Sequence, residues 1–369
     1  MTDTRVEKLA QILVDHSTWV GANDRILIEA TTAAEPLVRA LYIKILERGG
    51  YPHLLLNFPD EDEVFFAHAE NSQLDFTPTF TMLAYETFEG RIRIKSETNT
   101  RALSQVKPSR QARRSKALEP ILKTQMQRGA DESFRWVTTI YPTEAYAMEA
   151  EMGLQEYADY VYCACHTDEN TPDPLAYWLG VKKEQERIIH LFEGKDQVVL
   201  RGPTVDLKLS IKGRTFKNAC GINNMPDGEI YTGPVENSVN GWVHFTYPAI
   251  YHGRIVEGIE LTFENGKVVK AKAQKNEELL LELLKSDEGA KYVGEFAIGT
   301  NFEITRITKQ ILLDEKIGGS FHMALGRGYP ETGSQNKSAI HWDMICDLRK
   351  ESEISVDGDV VYRNGEFVG

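Results

Sequence analysis

Cysteine is scarce in this 369-residue chain: Cys163, Cys165, Cys220 and Cys346 are its four, unevenly spread. So thin a set cannot frame a disulfide-stapled secreted domain, and the thiols read as reduced. Long apolar runs are missing as well. No segment approaches the ~18 consecutive apolar residues of a membrane-spanning helix, and the N-terminus alternates charged with apolar residues where a signal peptide would be unbroken. Positive charge is also in short supply. Lysine and arginine number 42 against 55 aspartates and glutamates, a formal net charge of −13 that repels a phosphate backbone. These shortages imply a cytoplasmic protein that binds neither nucleic acid nor membrane.

Several motifs that carry chemistry are absent too. Ala30-Thr31-Thr32-Ala33-Ala34 follows the first apolar run, so no GxGxxG cradle is present there for a dinucleotide pyrophosphate. The chain has no Walker phosphate loop, no GxSxG nucleophile elbow and no HExxH zinc helix. Cys163, Cys165 and His166 resemble a soft-metal cluster, but adjacent residues at a helix end cannot reach one ion without unwinding, and buried small thiols are the simpler reading.

Hydrophobic residues at 41% and charged residues at 26% describe a folded globular protein, and the length suits two domains. The first part alternates short apolar runs (Arg25 to Glu29, His53 to Phe58, Arg91 to Lys95, Arg135 to Ile140) with amphipathic stretches at Val6 to Val14, Glu35 to Arg48 and Arg110 to Gln127. That is the pattern of βαβ units in a mostly parallel sheet. Arg110, Arg113, Arg114 and Lys116 read as a solvated helix face. Thr143 to Tyr160, capped by Thr143, and Pro174 to Phe192 are predicted as two further helices. From Gln197 onward the period drops to two, as in Val205, Leu207, Leu209 and Ile211, with turn pairs at Asn265-Gly266, Asp357-Gly358 and Asn364-Gly365. The prediction is an α/β domain over 1–195 and a C-terminal α+β domain over 196–369, rich in antiparallel strands, with helices near Glu277 to Lys285 and Thr305 to Leu313.

The informative stretch is Phe321 to Asp347. His341 and Asp343 stand one residue apart in an otherwise apolar run, so on a strand they share a face. An imidazole beside a carboxylate in apolar surroundings is expensive to bury unless hydrogen-bonded to each other or joined by a cation, and both readings stand. Glu229 and Glu295 occur in similar settings, each preceded by glycine and followed by apolar residues. With His322 they complete a mixed oxygen and nitrogen set that two divalent ions could use, one carboxylate bridging both.

The order GINNMPDGEIYTGPVENSVNG, VGEFAIGTN, LDEKIGGSFHMALGRGYPE, SAIHWDMICDL resembles the metallo-aminopeptidases of the aminopeptidase T, aminopeptidase S and PepS family. The likeness extends to NTRALS (Asn99 to Ser104) and to Tyr141 to Met152. The resemblance implies a dinuclear centre in the second domain with ligands at Glu229, Glu295, His322, His341 and Asp343. It also implies a catalytic Glu315 and a catalytic Tyr329, peptide substrates with a free N-terminus, and a homodimer. Zinc, cobalt, manganese and magnesium all suit the donor set. Two other readings remain open from the residues alone: a non-catalytic α/β protein that binds a small ligand, and a metal-dependent dipeptidase or amidase.

Overall fold

The computed structural model describes residues 3–251 and 253–368. They form two compact units, one of residues up to Tyr177 together with Gly221–Pro226, the other of Trp178–Cys220 together with the residues from Asp227 on.

The first unit is α/β. Its five-stranded sheet runs Tyr51–Asn57, Arg25–Thr31, Gly90–Lys95, Arg135–Ile140, Asn224–Met225, and every pairing is parallel. The last of these strands comes from a stretch expected to lie wholly outside this sheet. Helices Glu35–Glu47 and Pro108–Ala130 are the main crossovers. The basic helix face is less solvated than expected. Arg110 donates to the carbonyls of Phe66 and Ala69, Arg113 pairs with Asp75, and Arg114 donates to the carbonyl of Phe76, so the three tie down the segment between the second and third strands.

The helix expected over 143–160 is broken into Glu144–Glu149 and Leu154–Ala164. The Thr143 cap is present, its hydroxyl accepting from the Tyr146 amide. The break falls where Glu151 adopts φ +59°, a left-handed conformation that a right-handed helix cannot pass through.

The second unit is mostly antiparallel. An eight-stranded sheet has the order Lys267–Lys272, Glu260–Glu264, Asn240–His244, Val205–Ser210, Gln197–Gly202, Glu353–Val356, Asp359–Arg363, Glu366–Phe367. A five-stranded sheet has the order His341–Asp347, Ser320–Gly326, Val293–Gly299, Glu229–Thr232, Lys217–Ala219. The helix Glu277–Leu283 forms, but Thr305 to Leu313 does not: only Ile311–Asp314 is helical there. Local bonds compete with the helix, because the buried Asp314 carboxylate accepts from both the amide and the hydroxyl of Thr308, and Lys309 sits at φ +61°.

The five-stranded sheet has two chemically opposite faces. Ile230, Phe296, Ile298, Phe321, Met323, Leu325, Trp342, Met344 and Cys346 alternate onto one face and join the main hydrophobic core. Cross-strand pairs Gly299 with Glu229, Ala297 with Tyr231 and His322, Ala324 with Glu295 and Asp343, and Gly326 with His341 set the other face. Period-two geometry therefore collects the polar residues of four strands on one side, and fixes them by burying the apolar side.

Candidate metal centre

Each donor is held by a rigid strand, except Glu315, which caps the short helix Ile311–Asp314. Glycine makes the two glutamate positions possible. Gly228 sits at φ +128° with Asn301 so close that a Cβ would lie 2.7 Å from the Asn301 Cβ. Gly294 lies in a bulge between Val293 and Glu295, and a Cβ there would lie 2.3 Å from the Gly326 carbonyl oxygen. The bulge lets Val293 return to the core while Glu295 stays on the polar face. Ala297, Gly299, Ala324 and Gly326 on that face are small, which leaves room among the donors.

The sequence-predicted residues converge. Glu229, Glu295 and His322 offer donor atoms within 4.8 Å of one another; so do Glu295, His341 and Asp343, and so do Glu315, His322 and Asp343. Glu295 belongs to both of the first two groups: its Oε1 lies 3.9 Å from His322 Nε2 and its Oε2 lies 3.2 Å from His341 Nε2. His341 Nε2 is also 3.4 Å from Asp343 Oδ1, and His322 Nε2 is 3.5 Å from Glu229 Oε2. His341 Nδ1 lies 2.7 Å from the Arg327 carbonyl oxygen, which can only accept, so Nδ1 carries a proton and Nε2 faces the carboxylates. Cys163, Cys165 and His166 enter no such group among the described residues; the His166 ring stacks on Tyr177 at 3.5 Å.

Tyr329 packs edge-on against Tyr231 and against the His341 ring, with centroids 5.5 and 5.3 Å away. Burial raises its hydroxyl well above the usual tyrosine range, and Glu295, Asp343 and Glu315 push the same way, so it stays protonated and able to donate.

Two residues at the centre were missed from the sequence. Lys316 is buried and its ammonium contacts Glu229, Glu315 at 2.9 Å and Asp227 at 3.6 Å. Both sit inside quoted motifs, LDEK and MPDGE, but a lysine and an aspartate in polar runs carry no periodicity that marks them as buried.

The donor set fits divalent cations. Glu229 Oε2 and Asp343 Oδ1 are buried with no hydrogen-bond partner, a costly state that a cation at the carboxylates would relieve. Burial pushes the Glu229 carboxyl up, Lys316 opposes, and Glu315, Glu295 and Asp227 add to the rise. Burial disfavours charge on His341, yet Asp343 and Glu295 overcome it and hold the imidazole protonated well above its ordinary value. In the same way burial would raise Asp343, but His341 holds it down at about 2. A proton thus stands in for positive charge where the donors converge, and a metal would displace it. With that proton displaced, the ionised carboxylates of Asp227, Glu229, Glu295, Glu315 and Asp343 are five against the one ammonium of Lys316, a surplus of four negative charges that two divalent ions would balance.

Relatives bear on what this centre does. Aminopeptidase 2 of Geobacillus stearothermophilus is 24% identical over 99% of this chain and 98% of its own. The solved structure of wild-type AmpT from Thermus thermophilus superposes with a TM-score of 0.87 at 23% identity, covering 99% of both chains. That match shows a shared fold. A 2,5-dihydroxypyridine dioxygenase from Pseudomonas putida KT2440 shares the fold more loosely, with a TM-score of 0.59 at 13% identity over 99% of this chain and 97% of its own, so the fold by itself does not select a reaction. Residues 2–367 match the model of a family described as thermophilic metalloprotease (M29). With that match spanning nearly every residue, the chain belongs to the M29 family of metalloproteases.

Proposed function

We propose that the chain is an aminopeptidase that releases N-terminal residues from peptides, using Glu229, Glu295, His322, His341 and Asp343 to hold two divalent ions. The observation that carries this reading is the pair of three-donor groups sharing Glu295. Relatives named aminopeptidase 2 and aminopeptidase T support the exopeptidase class. When bound, the ions supply Lewis-acid polarisation of the scissile carbonyl and a more acidic water. Glu315 takes the proton from the attacking water and passes it to the leaving amine. The Tyr329 hydroxyl donates to the oxyanion of the tetrahedral intermediate. A free α-amine, held by a carboxylate or as the neutral amine by an ion, favours substrates with a free N-terminus.

Zinc, cobalt, manganese and magnesium are the candidate ions, since a carboxylate-rich set with two imidazoles accepts each. The proposal places catalysis in the segment 196–369, in a cytoplasmic homodimer. Among the described residues no helix is long and apolar enough to cross a membrane.

A panel of leucyl amides with free and acetylated N-termini tests the reaction. Release only from the free substrates, lost with a chelator and restored by divalent ions at about two equivalents per chain, is expected. Equal cleavage of blocked substrates would make the chain a different amidase, and neither metal uptake nor cleavage would leave a ligand-binding protein. Tyr329→Phe separates binding from turnover. It is expected to lower kcat by roughly 10²–10³, the cost of one oxyanion donor, with metal content unchanged. Loss of metal in that variant, measured by elemental analysis, would instead make Tyr329 part of the scaffold of the centre.

A further inference from the structure

We infer that Lys316 is a positioning residue of the metal centre: its ammonium occupies one oxygen of Glu229 and one of Glu315, leaves the second Glu229 oxygen to a divalent ion, and weakens divalent binding while keeping the metal-free centre folded. The inference rests on the metal-centre reading above and adds to it a built-in third cation.

The geometry is specific. The Lys316 ammonium hydrogen-bonds Glu229 Oε1, whereas Oε2 of the same carboxylate turns to His322 Nε2 at 3.5 Å. One carboxylate therefore serves two cationic positions, one filled by lysine. The other ammonium neighbours are Glu315 Oε1 at 2.9 Å and Asp227 Oδ1 at 3.6 Å, and the side chain is 1% exposed. No substrate group can reach an ammonium so enclosed, so Lys316 acts through the carboxylates it holds.

The backbone is built to aim it there. Asn301 donates its amide to the Lys316 carbonyl at 3.1 Å and its side-chain nitrogen to the Asp227 carbonyl at 2.9 Å, which locks the lysine and aspartate segments to one residue. Gly299, directly across from Glu229 in the sheet, would place a Cβ 2.2 Å from the Ile317 carbonyl oxygen. The missing side chain lets the Lys316–Ile317 backbone lie against the sheet beside Glu229.

The physical consequence has two signs. Five clustered carboxylates repel one another without metal, and a buried lysine among them removes part of that cost. A fixed positive charge near a divalent ion also repels it, so the same lysine makes metal easier to release.

Wild type, Lys316→Met and Lys316→Arg are stripped with chelator, melted by calorimetry, and titrated with Mn²⁺ alone. Stripped Lys316→Met is expected to melt at least about 5 °C below wild type, and to bind Mn²⁺ about tenfold more tightly or better. Lys316→Arg keeps the charge and should restore both values. Unchanged melting and unchanged Mn²⁺ affinity in Lys316→Met would overturn the inference, as would a Lys316→Met chain that stays unfolded with Mn²⁺ present. If the stripped variant folds only when Mn²⁺ is added, the inference is supported, because the metal then replaces the missing cation. Absence of Mn²⁺ uptake by wild type would remove the metal-centre reading instead, and the melting of the stripped proteins alone would then decide whether the lysine holds the carboxylates.

Discussion

Glu295→Ala is expected to remove metal-dependent hydrolysis almost completely, by at least ~10³-fold in kcat/KM, because a Lewis-acid cation contributes several kcal/mol to stabilising charge in the transition state. Glu295 is the one donor common to the groups Glu229-Glu295-His322 and Glu295-His341-Asp343, so its loss strips a ligand from both. Asp343→Ala and Glu229→Ala each leave one of those two groups intact. The measurement pairs elemental analysis with leucyl-amide release. Glu295→Ala should lose metal beyond either single-group variant, while its melting temperature without metal should hold or rise, since removing one of five neighbouring carboxylates relieves repulsion. A Glu295→Ala protein with wild-type metal content and turnover would sink the shared-carboxylate centre.

Why Glu295 could be picked from the sequence at all is a matter of backbone geometry. Its preceding glycine is needed because the carbonyls of Gly326 and Arg327 approach the bulge at Gly294, and the glycine before Glu229 is needed because of Asn301. Those constraints leave a visible trace, a glycine-glutamate pair in apolar text. The His341-Asp343 spacing left another, since alternate residues of a strand share a face. Lys316 and Asp227 left none, because their burial depends on segments brought together from positions 227, 299, 301 and 316, contacts that no local pattern encodes.

The fold divides the same way. Strong periodicity gave the alternating α/β first part and the period-two second part, and the structure has both. Local conformations that oppose the period were invisible: the left-handed Glu151 splits one expected helix, and the Thr308 bonds to Asp314 replace most of another. Strand order was equally hidden. Asn224–Met225 pairs with Arg135–Ile140 across more than eighty residues, and nothing in its own composition announces a parallel partner.

Glu315→Gln is expected to lower kcat by roughly 10²–10⁴, the usual contribution of a positioned general base, with the metal content of the wild type. The amide keeps the shape of the side chain but cannot accept the water's proton. The structure sets up a real competition for this residue. One Glu315 oxygen lies 2.9 Å from Lys316, and the side chain also belongs to a donor group with His322 and Asp343, so it is placed to act either as base or as ligand. The two roles differ in what the variant retains. A base can be lost without disturbing five other donors, all of them on strands that remain packed on the core, with Glu229 also still held by Lys316. A ligand cannot, because an ion left with His322 and Asp343 alone would exchange. Metal content is therefore the deciding measurement. Wild-type occupancy with slow turnover assigns proton transfer to Glu315, whereas a loss of metal in proportion to activity would move it into the coordination set and leave the proton to another group.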